Sequence, residues 1–174
     1  MALDKYYGSP EMLKEFIDEC HARDIAVILD VVYNHATGQN PLYRMYNDCN
    51  GCTGGIVAAD SPYFNVSATH TYSVFNDFNH QSIATQNYVN KTLEYWIEEF
   101  HIDGYRWDLT KGFTQNCSGN ETCTNSYQAD RVQVLKDYAD TQWAADSDFY
   151  IVFEHLGSGS SRNEEIEWAN YRLD

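Results

Sequence analysis

Apolar positions along the chain switch between two periods, and the switches mark the elements. Ser9-Pro10-Glu11 combines a capping hydroxyl, a proline for the first turn and an acid at the positive end of a helix dipole. Leu13, Phe16, Ile17 and Cys20 follow at helical spacing, which predicts one apolar face and a helix ending near Arg23-Asp24. Residues 25–32 are then almost uninterrupted aliphatic, broken only by Asp30, and predict a strand buried on both faces of a parallel sheet. Residues 36–81 are polar, rich in Gly, Asn and aromatics, and show no clear period. A stretch that long predicts an inserted subdomain or a functional loop. Val89, Leu93, Trp96, Ile97 and Phe100 share the face of a second helix, and residues 102–109 predict the next strand. A third helix is expected over 127–143 with Val132, Leu135 and Ala139 inward, a third strand over 149–153 and a further helix over 164–171. Such alternation predicts a parallel α/β architecture, either a barrel or a doubly wound sheet. The sequence has no G-x-G-x-x-G or P-loop run, which counts against a nucleotide-binding sheet.

Charged residues sit where these strands should end: Asp30 with Asn34 and His35, Arg106 with Asp108, and Glu154 with His155. One such acid is ordinarily a cap or a salt bridge. Three in succession at C-terminal strand ends match the place where barrel enzymes put their active sites, because an ionised group inside a parallel sheet is unfavourable unless it reaches a solvated rim or a partner. Arg106 and Asp108 are two residues apart and so project to one side of a strand. A guanidinium beside Asp108 favours the ionised form that a nucleophile needs. The Ile151-Val152-Phe153 run before Glu154 suggests an apolar setting that favours the protonated form of a general acid. Two carboxyls in unlike environments are what glycosidic bond cleavage requires.

Composition narrows the partners. With 26 Asp and Glu against 11 Lys and Arg, the net charge of −15 argues against nucleic acid and anionic membrane surfaces and fits a neutral polysaccharide. No apolar run is long enough to span a bilayer. Cys49 with Cys52 and Cys117 with Cys123 lie as close pairs in polar loops and read as local disulfides of an exported protein, with a four-thiolate zinc site as the weaker alternative. Cys20, inside a helix, is expected to be a buried free thiol.

Four stretches together resemble the α-amylase family, glycoside hydrolase family 13. Asp30-Val31-Val32-Tyr33-Asn34-His35 is similar to its first signature motif, Gly104-Tyr105-Arg106-Trp107-Asp108-Leu109-Thr110-Lys111 to its second, and Phe153-Glu154 to its third. Asn76-Asp77-Phe78-Asn79 resembles the extra motif in the loop after the third barrel strand. The resemblance implies Asp108 as nucleophile, Glu154 as general acid/base and Arg106 orienting Asp108. It further implies substrate contacts from His35 and Lys111, and a structural calcium on Asn34 and Asp77, both hard oxygen donors. Arg106 and His155, beside the two carboxyls, are also expected to contact substrate. Asn34 could instead bond its own turn, and Asp77 could be a turn former. The second motif commonly ends in His where this chain has Gly112, and many members carry an aliphatic residue where it has His155.

The implied fold is an incomplete TIM (β/α)8 barrel in segments 1–35 and 82–174, with residues 36–81 as the loop subdomain. The strands that close the barrel, and the third catalytic carboxylate, are expected beyond Asp174, and the N-terminus upstream of Met1. The expected activity is retaining hydrolysis of internal α-1,4 links in starch-like glucans by a secreted protein, monomeric at full length. The alternatives are a transglycosylase or branching enzyme of the same family, or a catalytically silent carbohydrate-binding relative.

Overall fold

The computed structural model describes residues 3–156 and 162–172. Helix α1 (Pro10–His21) opens as its sequence demands: Ser9 Oγ accepts the Met12 N–H at 3.3 Å, and Pro10 occupies the first turn, where its missing N–H has no partner to lose. Strand β1 (Ile28–Val31) follows, then the irregular excursion. The excursion contains β2 (His35–Ala36), α2 (Pro41–Met45) and β3 (Asn76–Asp77). Two right-length crossover helices alternate with the remaining strands: α3 (Ile83–Phe100), β4 (Gly104–Trp107), the short α4 (Glu121–Thr124), α5 (Ala129–Ala145) and β5 (Tyr150–Phe153). Helix α6 (Arg162–Ala169) comes last.

β1, β4 and β5 form one parallel sheet in that order, with Leu29, Tyr105 and Ile151 in one register row and Asp30, Arg106 and Val152 in the next. The rows alternate between faces. Leu29, Val31, Tyr105, Trp107, Ile151 and Phe153 turn toward α3 and α5 and pack with Val89, Leu93, Ile97, Leu135 and Tyr138. Trp107 is wholly enclosed and stacks on Tyr138 with ring centroids 5.5 Å apart. Burying side chains of this size stabilises the fold by about 1.5–3 kcal/mol each, which fixes β4 as the rigid centre of the sheet.

The opposite face is open among the described residues. Ile28 is 40% exposed, Val152 49% and Tyr150 59%, and Asp30 is exposed between them. Among the described residues the helices cover one face only. Gly104 is buried in the open face for a steric reason, since a Cβ there would lie 2.5 Å from Ile28 Cδ1 and 2.7 Å from Tyr150 Cβ.

The excursion has its own small core of Ala36, Tyr43, Val57, Phe64 and Phe78, joined to the main core by Tyr88, which packs against both. β2 and β3 pair antiparallel, His35 opposite Asp77, and this short ladder returns the loop to the end of β1. Cys49 is bonded to Cys52 and Cys117 to Cys123, so none of the four sulfurs is left as a thiolate for zinc. Cys20 is free but half-buried, on the edge of α1 rather than inside the core.

Candidate active site

The open sheet face gathers charge at the C-terminal ends of its strands. Asp108 follows β4 and Glu154 follows β5, and both keep the ladder going: Asp108 N–H donates to the Val31 carbonyl and Glu154 N–H to the Trp107 carbonyl, each at 2.9 Å. That continuation puts both side chains on the same face as Arg106. The Arg106 guanidinium is the hub. Nη1 lies 3.0 Å from Asp30 Oδ1 and 3.1 Å from Asp108 Oδ1, while Nη2 lies 2.6 Å from Glu154 Oε1. A planar fork suits this, whereas the point charge of a lysine could not serve three carboxylates at fixed angles. The Asp30 hydrogen bond, followed by that of Asp108, raises the affinity of Arg106 for its proton further.

The second oxygen of Glu154 is also held: Leu109 N–H donates to Oε2 at 3.0 Å. Leu109 takes the left-handed conformation, φ 51° and ψ 49°, to aim that N–H, a conformation that is strained by about 1–2 kcal/mol for a residue with a Cβ. The setting of Glu154 is therefore ionic, not the apolar pocket that the preceding aliphatic run suggested. Ile151 and Phe153 point to the opposite face, and Val152 lies level with Arg106 on the exposed one.

His35 is half-buried at the rim, its Nδ1 3.2 Å from Asn34 Nδ2 and its ring 5.9 Å from Phe75. Burial holds its proton affinity below the ordinary histidine range, against the pull of the Asp108 and Asp77 charges. Phe75 was not singled out in the sequence; it is 70% exposed at φ 48°, an unusual combination for a bulky residue.

Behind this rim Asn34 is fully buried, and its Oδ1 has no hydrogen-bond donor. An orphaned hard oxygen is what a calcium ligand looks like. Asp77 fits less well, because both of its oxygens already accept: Oδ1 from His70 Nε2 at 2.9 Å, and Oδ2 from Asn65 Nδ2 at 2.7 Å and from Thr69 N–H at 3.4 Å. Among the described residues no cluster of three His, Cys, Asp or Glu side chains could hold a metal. The donor set thus fits a cation at Asn34 directly, and at Asp77 through the one lone pair of Oδ1 that His70 leaves unused. The glycine at 112 also has a reason: a Cβ there would lie 1.8 Å from Asn34 Oδ1 and 2.8 Å from His70 Cε1. The imidazole of His70, from the excursion, fills the space into which a side chain at 112 would grow.

Two residues expected to meet substrate do not face the open side. Lys111 is completely buried, and that burial, then the nearby Arg131 charge, lowers its proton affinity. His155 has both ring nitrogens engaged, Nε2 with Glu164 Oε2 at 2.7 Å and Nδ1 with Thr110 Oγ1 at 3.0 Å, and its side chain is only 7% exposed. The physical reason is α6, whose Glu164 draws the imidazole inward. The sequence held one signal for this buried network: Arg131 precedes Leu135 by four residues and so shares the inward stripe of α5.

The profile of the α-amylase catalytic domain matches residues 1–54. Malto-oligosyltrehalose trehalohydrolase of Saccharolobus solfataricus is 31% identical over 116 residues, covering 66% of this chain and 18% of its own length. The 1,4-alpha-glucan-branching enzyme of Solanum tuberosum is 28% identical over 147 residues, covering 77% of this chain and 16% of its own. The chain therefore spans less than a fifth of the length of these curated relatives. A crystal structure of an alpha-amylase from Geobacillus thermoleovorans complexed with acarbose superposes with a TM-score of 0.65 at 19% identity, covering 90% of this chain and 31% of that one, which shows a shared fold.

Proposed function

We propose that this chain, which belongs to the α-amylase family and represents part of its catalytic domain, contributes the nucleophile and the general acid/base of a retaining glycosidase that cleaves internal α-1,4 links in starch-like glucans. One observation bears most of the weight: a single guanidinium, Arg106, touches both Asp108 and Glu154 at the C-terminal ends of neighbouring parallel strands. Carboxyls that flank one small group favour the short spacing of a retaining enzyme, about 5–5.5 Å, over the wider gap an inverting enzyme leaves for water.

In this reading Asp108 Oδ attacks the anomeric carbon while Glu154 gives its proton to the departing glycosidic oxygen. The glycosyl–Asp108 ester then yields to a water whose proton returns to Glu154. Arg106 orients Asp108, and His35 binds sugar hydroxyls at the rim. The three-stranded sheet is one portion of a (β/α)8 barrel, in segments 1–35 and 82–174 with 36–81 as the loop subdomain, and its open face is the barrel interior. Export fits the two local disulfides, and a monomer fits a self-contained barrel. Among the described residues no helix is long and apolar enough to cross a membrane. A calcium held by Asn34 and Asp77 would tie the loop subdomain to β1. It is tested by adding and chelating calcium while following the thermal midpoint, which should rise with calcium as binding to the folded state requires.

The roles of the two carboxyls are tested in the full-length protein with Asp108→Ala and Glu154→Ala and added azide. Azide should give the β-glycosyl azide with the first variant, by direct displacement, and the α-glycosyl azide with the second, through the enzyme ester. The same product from both would overturn the assignment. A second reading, chain transfer in place of hydrolysis, is favoured by the resemblance to a 1,4-alpha-glucan-branching enzyme. It predicts new branch points without release of reducing ends.

A further inference from the structure

Arg131 belongs to α5, far from the open sheet face, and it is completely enclosed, as is its partner Glu164. An arginine removed from water is strongly destabilising unless its donors are used, and here they are. Nη1 donates to the carbonyls of Lys111 at 2.7 Å and Thr124 at 2.9 Å. Nη2 donates to the Ser126 carbonyl at 2.9 Å and to the two Glu164 oxygens at 2.8 and 2.9 Å, and Nε to Glu164 Oε1 at 3.2 Å. Glu164 also accepts the Gln128 N–H at 2.7 Å and then His155 Nε2 at 2.7 Å.

That last contact selects a tautomer. A carboxylate held by an arginine takes the imidazole hydrogen on Nε2, so Nδ1 is an acceptor and shares the single Thr110 hydroxyl hydrogen with the Glu154 carbonyl, across 3.0 and 3.1 Å. Thr110 lies on the Glu154 peptide: its N–H donates to the Glu154 carbonyl at 3.1 Å, and its Oγ1 is 3.1 Å from the same oxygen. The preceding peptide is the one whose N–H, that of Leu109, holds Glu154 Oε2. A continuous path therefore runs from Arg131 through Glu164, His155 and the Thr110–Leu109 turn to the Glu154 carboxyl.

We propose that His155, anchored by Glu164 and Arg131, is a positioning residue for Glu154, acting through the Thr110 hydroxyl on the left-handed turn that presents the Leu109 N–H. The proposal rests on Glu154 as general acid/base. It differs from a purely structural role in one respect: what it protects is the aim of a proton donor. A substrate whose leaving group needs no proton should be indifferent to it in the first, glycosyl-transfer step, which kcat/KM reports, because Glu154 still serves as the base toward water in the second.

The test uses the full-length enzyme with His155→Gln, Thr110→Val, Thr110→Ser and the double variant His155→Gln/Thr110→Val, assayed well below each thermal midpoint. With a starch oligosaccharide, His155→Gln and Thr110→Val should each lower kcat by roughly tenfold to a hundredfold with KM within about twofold, the scale on which small misplacements act. Thr110→Ser should regain most of the turnover lost in Thr110→Val. The double variant should lose little more than the worse single, because both residues lie on one path. With an α-glycosyl fluoride, whose leaving group departs with little protonation, the losses in kcat/KM should shrink to about twofold. Equal losses in kcat/KM on both substrates, or additive losses in the double variant, would overturn the proposal. Glu154→Gln separates the two ideas. Full activity in that variant would remove the acid/base reading and this proposal with it. A dead Glu154→Gln beside normal His155→Gln and Thr110→Val would remove the positioning role alone.

Discussion

Two arginines divide the molecule. Arg106 stands on the open face, with 29% of its side chain exposed, and spreads its guanidinium over three carboxylates from three strand ends. Arg131 is buried between α5 and α6 and spends its donors on one carboxylate and three main-chain carbonyls. The same chemical group is used for opposite ends. Carbonyls cannot move without moving the fold, so Arg131 fixes backbone. Three acidic side chains from three strand ends converge on the one cation between them, so Arg106 holds side chains rather than backbone. The difference teaches that exposure alone does not rank these residues: on the proposed reading the exposed arginine serves chemistry, and the enclosed one serves placement.

The comparison breaks most sharply through activity. In the full-length enzyme Asp108→Asn or Glu154→Gln should lower kcat on the order of 10⁴-fold with little change in the thermal midpoint, measured side by side by reducing-sugar release and calorimetry. Arg106→Lys should cost activity on the order of 100-fold, since a point charge holds the carboxylates without orienting them; equal activity would show that the three-way contact is incidental. Arg131→Met should do the reverse. It strands the Glu164 charge and should destabilise the fold by about 3–5 kcal/mol in urea titrations, and Arg131→Met/Glu164→Leu should recover much of that loss.

Acid sharpens the same contrast. Burial lowers the proton affinity of His155 below its ordinary value of 6.5. Burial alone would raise that of Glu164, but the His155 hydrogen bond and Arg131 outweigh it and hold the carboxyl below the usual range. Both folded values are depressed, so the unfolded chain binds more protons and stability falls as pH drops: first below 6.5 through His155, then below 4.5 through Glu164. His155→Gln should flatten the first part of that slope in midpoint-versus-pH curves. The smallest expected effect is at the rim, where Phe75→Ala should raise KM roughly threefold to tenfold through loss of a stacking surface while leaving kcat nearly unchanged.

How far the sequence could be read follows the same division. The order of helices and strands, the crossover pattern and the clustering of Asp30, Arg106, Asp108 and Glu154 were legible because period and strand-end charge are local signals. Strand lengths were overestimated: residues 25–32 were expected and β1 covers Ile28–Val31, because an aliphatic run continues past the last paired residue. The open sheet face was illegible, since hydrophobicity cannot tell which neighbour covers a strand. Lys111 and His155 were placed at the substrate by their neighbours in the motif, yet Lys111 is buried, with Arg131, 20 residues away, holding its carbonyl, and the His155 ring is drawn inward by Glu164, 9 residues away. Glu154 looked apolar along the chain and is ionic in space for the same reason.

The central claim is that Asp108 and Glu154 act as a retaining pair across Arg106. The measurement that meets it most directly is proton NMR of the first sugar released from a maltooligosaccharide by the full-length enzyme, recorded before mutarotation. The account predicts the α-anomer first, with the β-anomer growing in at the spontaneous rate. Initial release of the β-anomer would mean single displacement by water, and the roles given to the two carboxyls would be wrong.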